Sequence, residues 1–70
     1  MPKSIRWLRR NREETQEHAA RALGVSLPTY KKWEKDLTGA KLADVFRVAK
    51  HYGVNPWDID FRPIAPQKLN

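Results

Sequence analysis

Seventy residues, 40% of them apolar and 31% charged, are too apolar for a fully disordered chain and too few for more than one domain near the lower size limit of a self-supporting core. The absence of cysteine excludes a disulfide framework and a thiolate metal site, so packing, helix caps and association must hold the fold. The formal net charge of +6 is uneven: residues 1–35 hold nine Lys/Arg against four Asp/Glu, and residues 36–70 hold five against four, which points the N-terminal half at a polyanion, nucleic acid first.

In chain order, glycines and prolines divide the sequence at intervals suited to short helices. Ser4 is an N-cap for a first helix to about Arg10, with Ile5 and Leu8 inward, Arg6, Arg10 and Arg12 outward, and Trp7 at the edge of the apolar arc. Thr15 caps a second helix over residues 16–23, in which Ala19, Ala20 and Leu23 share one face and the alanines admit a close neighbour. Gly24 supplies a left-handed stop and Val25 fills the turn. Ser26 then caps a third helix over residues 27–35, where Pro28 falls in the first turn and is tolerated.

At 100° per residue, Tyr30 and Trp33 lie on one side of that third helix, and Leu27, Pro28, Lys31, Lys32 and Lys35 form a stripe on the other. After a loop over residues 36–40, Leu42, Val45, Phe46, Val48, Ala49 and Tyr52 repeat at helical spacing opposite Asp44, Arg47 and Lys50, which predicts a packing helix ended by Gly53. Asn55-Pro56 predicts a short fifth helix through about Asp60, with Asp58 favouring its N-terminal dipole. A domain over residues 1–61 and a C-terminal tail over residues 62–70 follow.

The segment over residues 15–34, TQEHAARALGVSLPTYKKWE, has the order of a helix-turn-helix: helix, small-residue face, glycine turn, valine plug, second helix. Over about residues 5–60 the sequence resembles the lambda-repressor-like, or Cro/C1-type, helix-turn-helix family. The resemblance rests on Gln16 at the start of the second helix, on Ala20, Leu23, Gly24 and Val25 in core and turn, and on the closing run over residues 42–54 with Asn55-Pro56-Trp57. Tyr30 and Trp33 replace the usual aliphatic core residues of the recognition helix. The fold this implies is all-α, a compact five-helix bundle, and the function it implies is DNA-binding transcriptional regulation, with small phage Cro and repressor proteins nearest in size.

The resemblance also implies roles. Leu27, Pro28, Thr29 and Lys32 take base-reading positions, with Lys32 able to donate to guanine O6 or N7 and Leu27 and Pro28 limited to apolar contact such as a thymine methyl. Arg12, Thr15, Gln16, Ser26, Lys31, Lys35 and Lys41 are candidates for phosphate. Arg9 and Glu34 stand where relatives tie the first helix to the end of the third, and Trp57, Ile59, Phe61 and Ile64 are candidate dimer contacts. A homodimer on a pseudo-palindromic double-stranded operator is one expectation. The other is an antirepressor or modulator that binds a partner repressor through the same surface, because an apolar helix tip also suits a protein groove.

His18 and His51 stand far apart in sequence without cysteine or paired carboxylates at ligand spacing, and no serine–histidine–acid or dual-carboxylate set is present, so no metal, cofactor or enzyme activity is expected. No stretch approaches the roughly 18 apolar residues that span a bilayer. The N-terminal stretch lacks a signal-peptide apolar region, so a cytoplasmic protein is expected, and the resemblance implies a bacterial or phage-infected cell as its setting.

Overall fold

The computed structural model describes residues 1–63. Four α-helices follow in order, α1 (Ile5–Asn11), α2 (Gln16–Leu23), α3 (Leu27–Lys35) and α4 (Leu42–Tyr52), and no strand occurs among the described residues. The helix starts are written by hydroxyls. Ser4 Oγ accepts the Trp7 amide (3.1 Å), Thr15 Oγ1 the His18 amide (3.0 Å) and Ser26 Oγ the Thr29 amide (3.2 Å), each satisfying a donor that has no partner within its helix. The stops of α2 and α4 are glycines in the left-handed region, Gly24 at φ +71° and Gly53 at φ +69°. At each stop the following residue's amide reaches back to close the motif, Val25 to the Ala20 carbonyl and Val54 to the Ala49 carbonyl, both at 3.0 Å. A side chain at either glycine would strain the backbone.

Ala19 and Ala20 are fully or almost fully buried, and their small size lets α3 seat Tyr30 and Trp33 directly against α2. Ile5, Leu23, Leu37, Val48, Ala49, Tyr52 and Ile59 complete one core. Leu37 is an addition to the predicted core: it stands in the short loop after α3, where no periodicity marks it, yet is 3% exposed. Conversely, Leu42 and Phe46, assigned by spacing to the packing face of α4, are 68% and 52% exposed. The core touches only the arc through Val45, Val48, Ala49 and Tyr52, and these two lie on its flank.

The predicted fifth helix is instead a single 3-10 turn, Pro56–Asp58, without a side-chain cap from Asn55. Its neighbour Ile59 forms an isolated bridge with Lys3: the Lys3 amide donates to the Asp58 carbonyl (3.1 Å) and the Asp60 amide to the Lys3 carbonyl (2.8 Å). The N-terminal segment is thus tied to the segment after α4, beside Ile5 and Ile59 in the core. Three residues cannot nucleate an α-helix on their own, and the backbone bonds to Lys3 take the place of further helical turns.

Candidate nucleic-acid interface

The turn of Gly24, Val25 and Ser26 fixes how α3 leaves α2. Val25 packs against the core, and Ser26 both accepts the Thr29 amide and donates its hydroxyl to Thr29 Oγ1 (2.9 Å). On α3, Tyr30, Trp33 and Glu34 are buried, whereas Pro28, Lys31, Lys32 and Lys35 are exposed and Leu27 and Thr29 half-buried. One helix therefore presents an anchored aromatic side to the core and a three-lysine side to solvent. No ion pair engages Lys31, Lys32 or Lys35 among the described residues.

Glu34 holds this helix in register with α1 and α2. Its carboxylate accepts two bonds from the Arg9 guanidinium, Nε to Oε2 and Nη2 to Oε1 (3.3 Å), and a third from Gln16 Nε2 to Oε1 (3.0 Å). Arg9 also donates through Nη1 to the Glu14 carbonyl (2.8 Å), so one side chain from α1 braces both the α1–α2 loop and α3. Burial pushes the Glu34 carboxyl up, but the bonds from Arg9 and Gln16 more than offset it and hold it below the usual carboxylate range. The charge is spent on geometry; the bidentate fork fixes angle as well as distance.

The other phosphate candidates are distributed unevenly. Thr15 is exposed at the start of α2, Gln16 is half-buried beside Glu34, and Lys41 is exposed at the start of α4. Arg12 is exposed, but its side chain is turned toward α4. Its Nη1 donates to the His51 carbonyl (2.6 Å) and its guanidinium lies 5.4 Å from the Tyr52 ring centroid, which turns it into a brace between α1 and α4. Of the apolar candidates for self-association, Trp57 is 75% exposed and Phe61 half-buried, whereas Ile59 is 4% exposed and belongs to the core. Ile64 lies outside the described residues.

The two histidines stand far apart in sequence, and the fold brings them together. His18 Nδ1 and His51 Nε2 lie 2.7 and 2.8 Å from the same oxygen, Glu14 Oε2, linking the α1–α2 loop, α2 and α4. The His18 contact spans four residues across the start of α2 and is local enough to read from the spacing; the His51 contact spans 37 residues and is not. Burial raises the Glu14 carboxyl, and the bonds from both imidazoles bring it below its ordinary value. Among the described residues, no group of three or more His, Cys, Asp or Glu side chains is arranged to hold a metal ion, and no helix is long and apolar enough to cross a membrane.

A glycine-turned helix pair that buries one side of its second helix and offers the other to solvent defines a helix-turn-helix domain. The helix-turn-helix family model matches residues 5–56, and the chain belongs to that family, in its Cro/C1-type form, whose members are DNA-binding transcription regulators. No curated protein and no solved structure matches the chain.

Proposed function

We propose that this protein is a sequence-specific transcriptional regulator of the repressor or Cro-like kind, which lays α3 in the major groove of a double-stranded operator. The observation that carries the reading is the division of α3: Tyr30, Trp33 and Glu34 anchor it inward while Pro28, Lys31, Lys32 and Lys35 stand outward on a rigid helix of groove-fitting width. Lys32 is the polar base reader, Thr29 and the half-buried Leu27 flank it, and Pro28 offers apolar contact. Thr15, Gln16, Ser26, Lys31, Lys35 and Lys41 serve the phosphates, and Arg12, exposed with only its Nη1 bonded to the His51 carbonyl, is held at the α4 side of that set. Two copies, joined through the exposed Trp57 and neighbouring apolar side chains, would present two recognition helices to a pseudo-palindromic site.

The antirepressor reading drew on an apolar tip at Leu27 and Pro28. Leu27 is half-buried, so little of that tip beyond Pro28 is offered to a protein groove, and DNA is the better-supported partner. Fluorescence anisotropy against random and selected pseudo-palindromic duplexes over a salt series tests the function. With about five phosphates neutralised, log affinity falls against log salt with a slope near −4 to −5. Lys32→Ala should flatten the preference among sequences while non-specific binding persists, and absence of binding to any duplex at low salt would reject the reading.

A further inference from the structure

Most arginines on this protein already have work within the fold. Arg9 is bound to Glu34, Arg12 to the His51 carbonyl, Arg47 to Asp44 and Arg62 to Asp60. Arg6 and Arg10 of α1 make no side-chain hydrogen bond or ion pair among the described residues, and neither do Lys31 and Lys35 of α3. These four converge on one cleft of about 310 Å³ between the two helices, whose floor is Gln16 and the Arg9–Glu34 pair.

Helix dipoles explain only half of that cluster. Arg10 and Lys35 lie in the last turns of α1 and α3, where a cation is favoured. Arg6 is the second residue of α1, where the dipole opposes it and no acid stands in the first turn to compensate, and Lys31 sits in the body of α3. Glu34 adds little negative charge at the surface, since its side chain is 5% exposed and bonded to Arg9 and Gln16. Unpaired cations gathered round one concavity repel one another and focus a positive potential into it, an arrangement that a bound anion relieves.

The cleft does not end there. Arg6 and Arg10 also line a larger groove of about 560 Å³ on the outer face of α1, with Trp7, Ser4 and Asn11. Trp7 is 46% exposed there, with Lys3 Nζ 4.7 Å from the centroid of its ring. Two concavities that share the same two arginines form one track leading from the lysine side of α3 across α1.

We propose that Arg6 and Arg10 grip the sugar-phosphate strand bordering the groove that α3 enters, extending the DNA interface from the helix-turn-helix onto α1. This rests on the reading that α3 binds duplex DNA, and it adds a strand contact that the helix-turn-helix segment itself does not contain. The occupant is a continuous polyanion, because a single free phosphate could fill the cleft but would leave the outer groove of Trp7 and Asn11 unused. Neither arginine reads sequence, since backbone contacts position a protein without specifying bases.

The test measures affinity and its salt slope for a mixed-sequence duplex of about 25 base pairs, with the full chain and with R6Q/R10Q, R21Q/K50Q and K31Q/K35Q double variants. Arg21 and Lys50 are exposed and line neither groove, so their loss reports net charge alone. Each phosphate contact contributes about 0.9 to the slope, so R6Q/R10Q should flatten it by about 2 and weaken binding roughly 10- to 30-fold at about 0.15 M salt. Its thermal midpoint should stay unchanged or rise, because the removed charges repel their neighbours. R21Q/K50Q should shift the slope little. A wild-type slope and affinity in R6Q/R10Q, with K31Q/K35Q still weakened, would overturn the α1 contact and leave the α3 reading intact. Equal losses in R6Q/R10Q and R21Q/K50Q would also overturn it, as a net-charge effect. A wild-type chain that binds no duplex would overturn both.

Discussion

Two buried carboxylates, Glu34 and Glu14, each gather three elements of this small fold, and they do it with different chemistry. Glu34 joins α3 to α1 and α2 through the Arg9 fork and Gln16, with both oxygens engaged. Glu14 joins the α1–α2 loop to α2 and α4 through two imidazoles on one oxygen, while its Oε1 is buried without a partner among the described residues. A guanidinium carries its charge at every relevant pH, whereas an imidazole donates from a neutral or a cationic ring. The recognition helix is thus fixed by a permanent ion pair, and the far side of the bundle by a carboxylate whose imidazole donors need carry no charge. The permanently charged anchor lies behind the lysine side of α3, the surface proposed above to meet DNA.

The sharpest way to break this comparison is to remove the charge alone at each site. Glu34→Gln keeps the shape but leaves the Arg9 guanidinium, whose side chain is 12% exposed, opposite an amide; the expected loss is about 3 kcal/mol, since removing one partner strands the other. That is a large part of the roughly 5 kcal/mol at the lower end for small domains. Glu14→Gln leaves an amide oxygen for the imidazoles and should cost about 1 kcal/mol, the scale of a neutral hydrogen bond. Urea unfolding of both variants at pH 7 measures the two costs. Equal losses would mean that Glu14 is as dependent on its charge as Glu34 and would erase the distinction.

Acid sharpens the same contrast. Both carboxyls have folded pKa values below the ordinary 4.5, so the ionised forms contribute stability that is fully present above about pH 4.5 and lost as pH falls through the folded values. The unfolding midpoint of the wild type should therefore drop below about pH 4.5. Glu34→Gln should flatten that drop more than Glu14→Gln does, in proportion to the stabilisation each charge supplies. A drop of the same steepness in wild type and Glu34→Gln would assign acid sensitivity to other carboxylates.

Much of this arrangement is legible in the sequence wherever the signal is local. The bounds of α2 and α3 follow from Thr15, Gly24 and Ser26, because a cap or a left-handed stop is decided within four residues. The inward side of α3 follows from periodicity, as does the outward lysine side. Signals fail where the partner is distant or absent. The meeting of His51 with Glu14 and the bond of Arg12 to the His51 carbonyl depend on how α4 docks, and Leu37 sits in a loop too short to show a period. Leu42 and Phe46 mark the opposite error: helical spacing defines an apolar arc, but the core covers only its centre. The cleft between α1 and α3 is of the same kind, since Arg6 and Lys31 become neighbours only after Glu34 has drawn the helices together.

The smallest expected effect concerns what lies between the two carboxylates. Tyr30 and Tyr52 share a buried hydroxyl–hydroxyl bond of 2.6 Å; Tyr30 feels the charge of Glu34, and Tyr52 the charges of Glu14 and Glu34. Burial, more than any neighbour, pushes both hydroxyls well above the ordinary tyrosine range, so neither ionises and each must donate one proton and choose its acceptor. A proton turned toward one carboxylate is withdrawn from the other direction, which couples the two sites through the pair. In a double-mutant cycle, Glu14→Gln and Glu34→Gln should accordingly depart from additivity by about 0.5 kcal/mol, and Tyr30→Phe should abolish that departure by cutting the chain at its middle. Strict additivity, or a coupling that survives Tyr30→Phe, would show that the two anchors act independently and that the hydroxyl pair is packing alone.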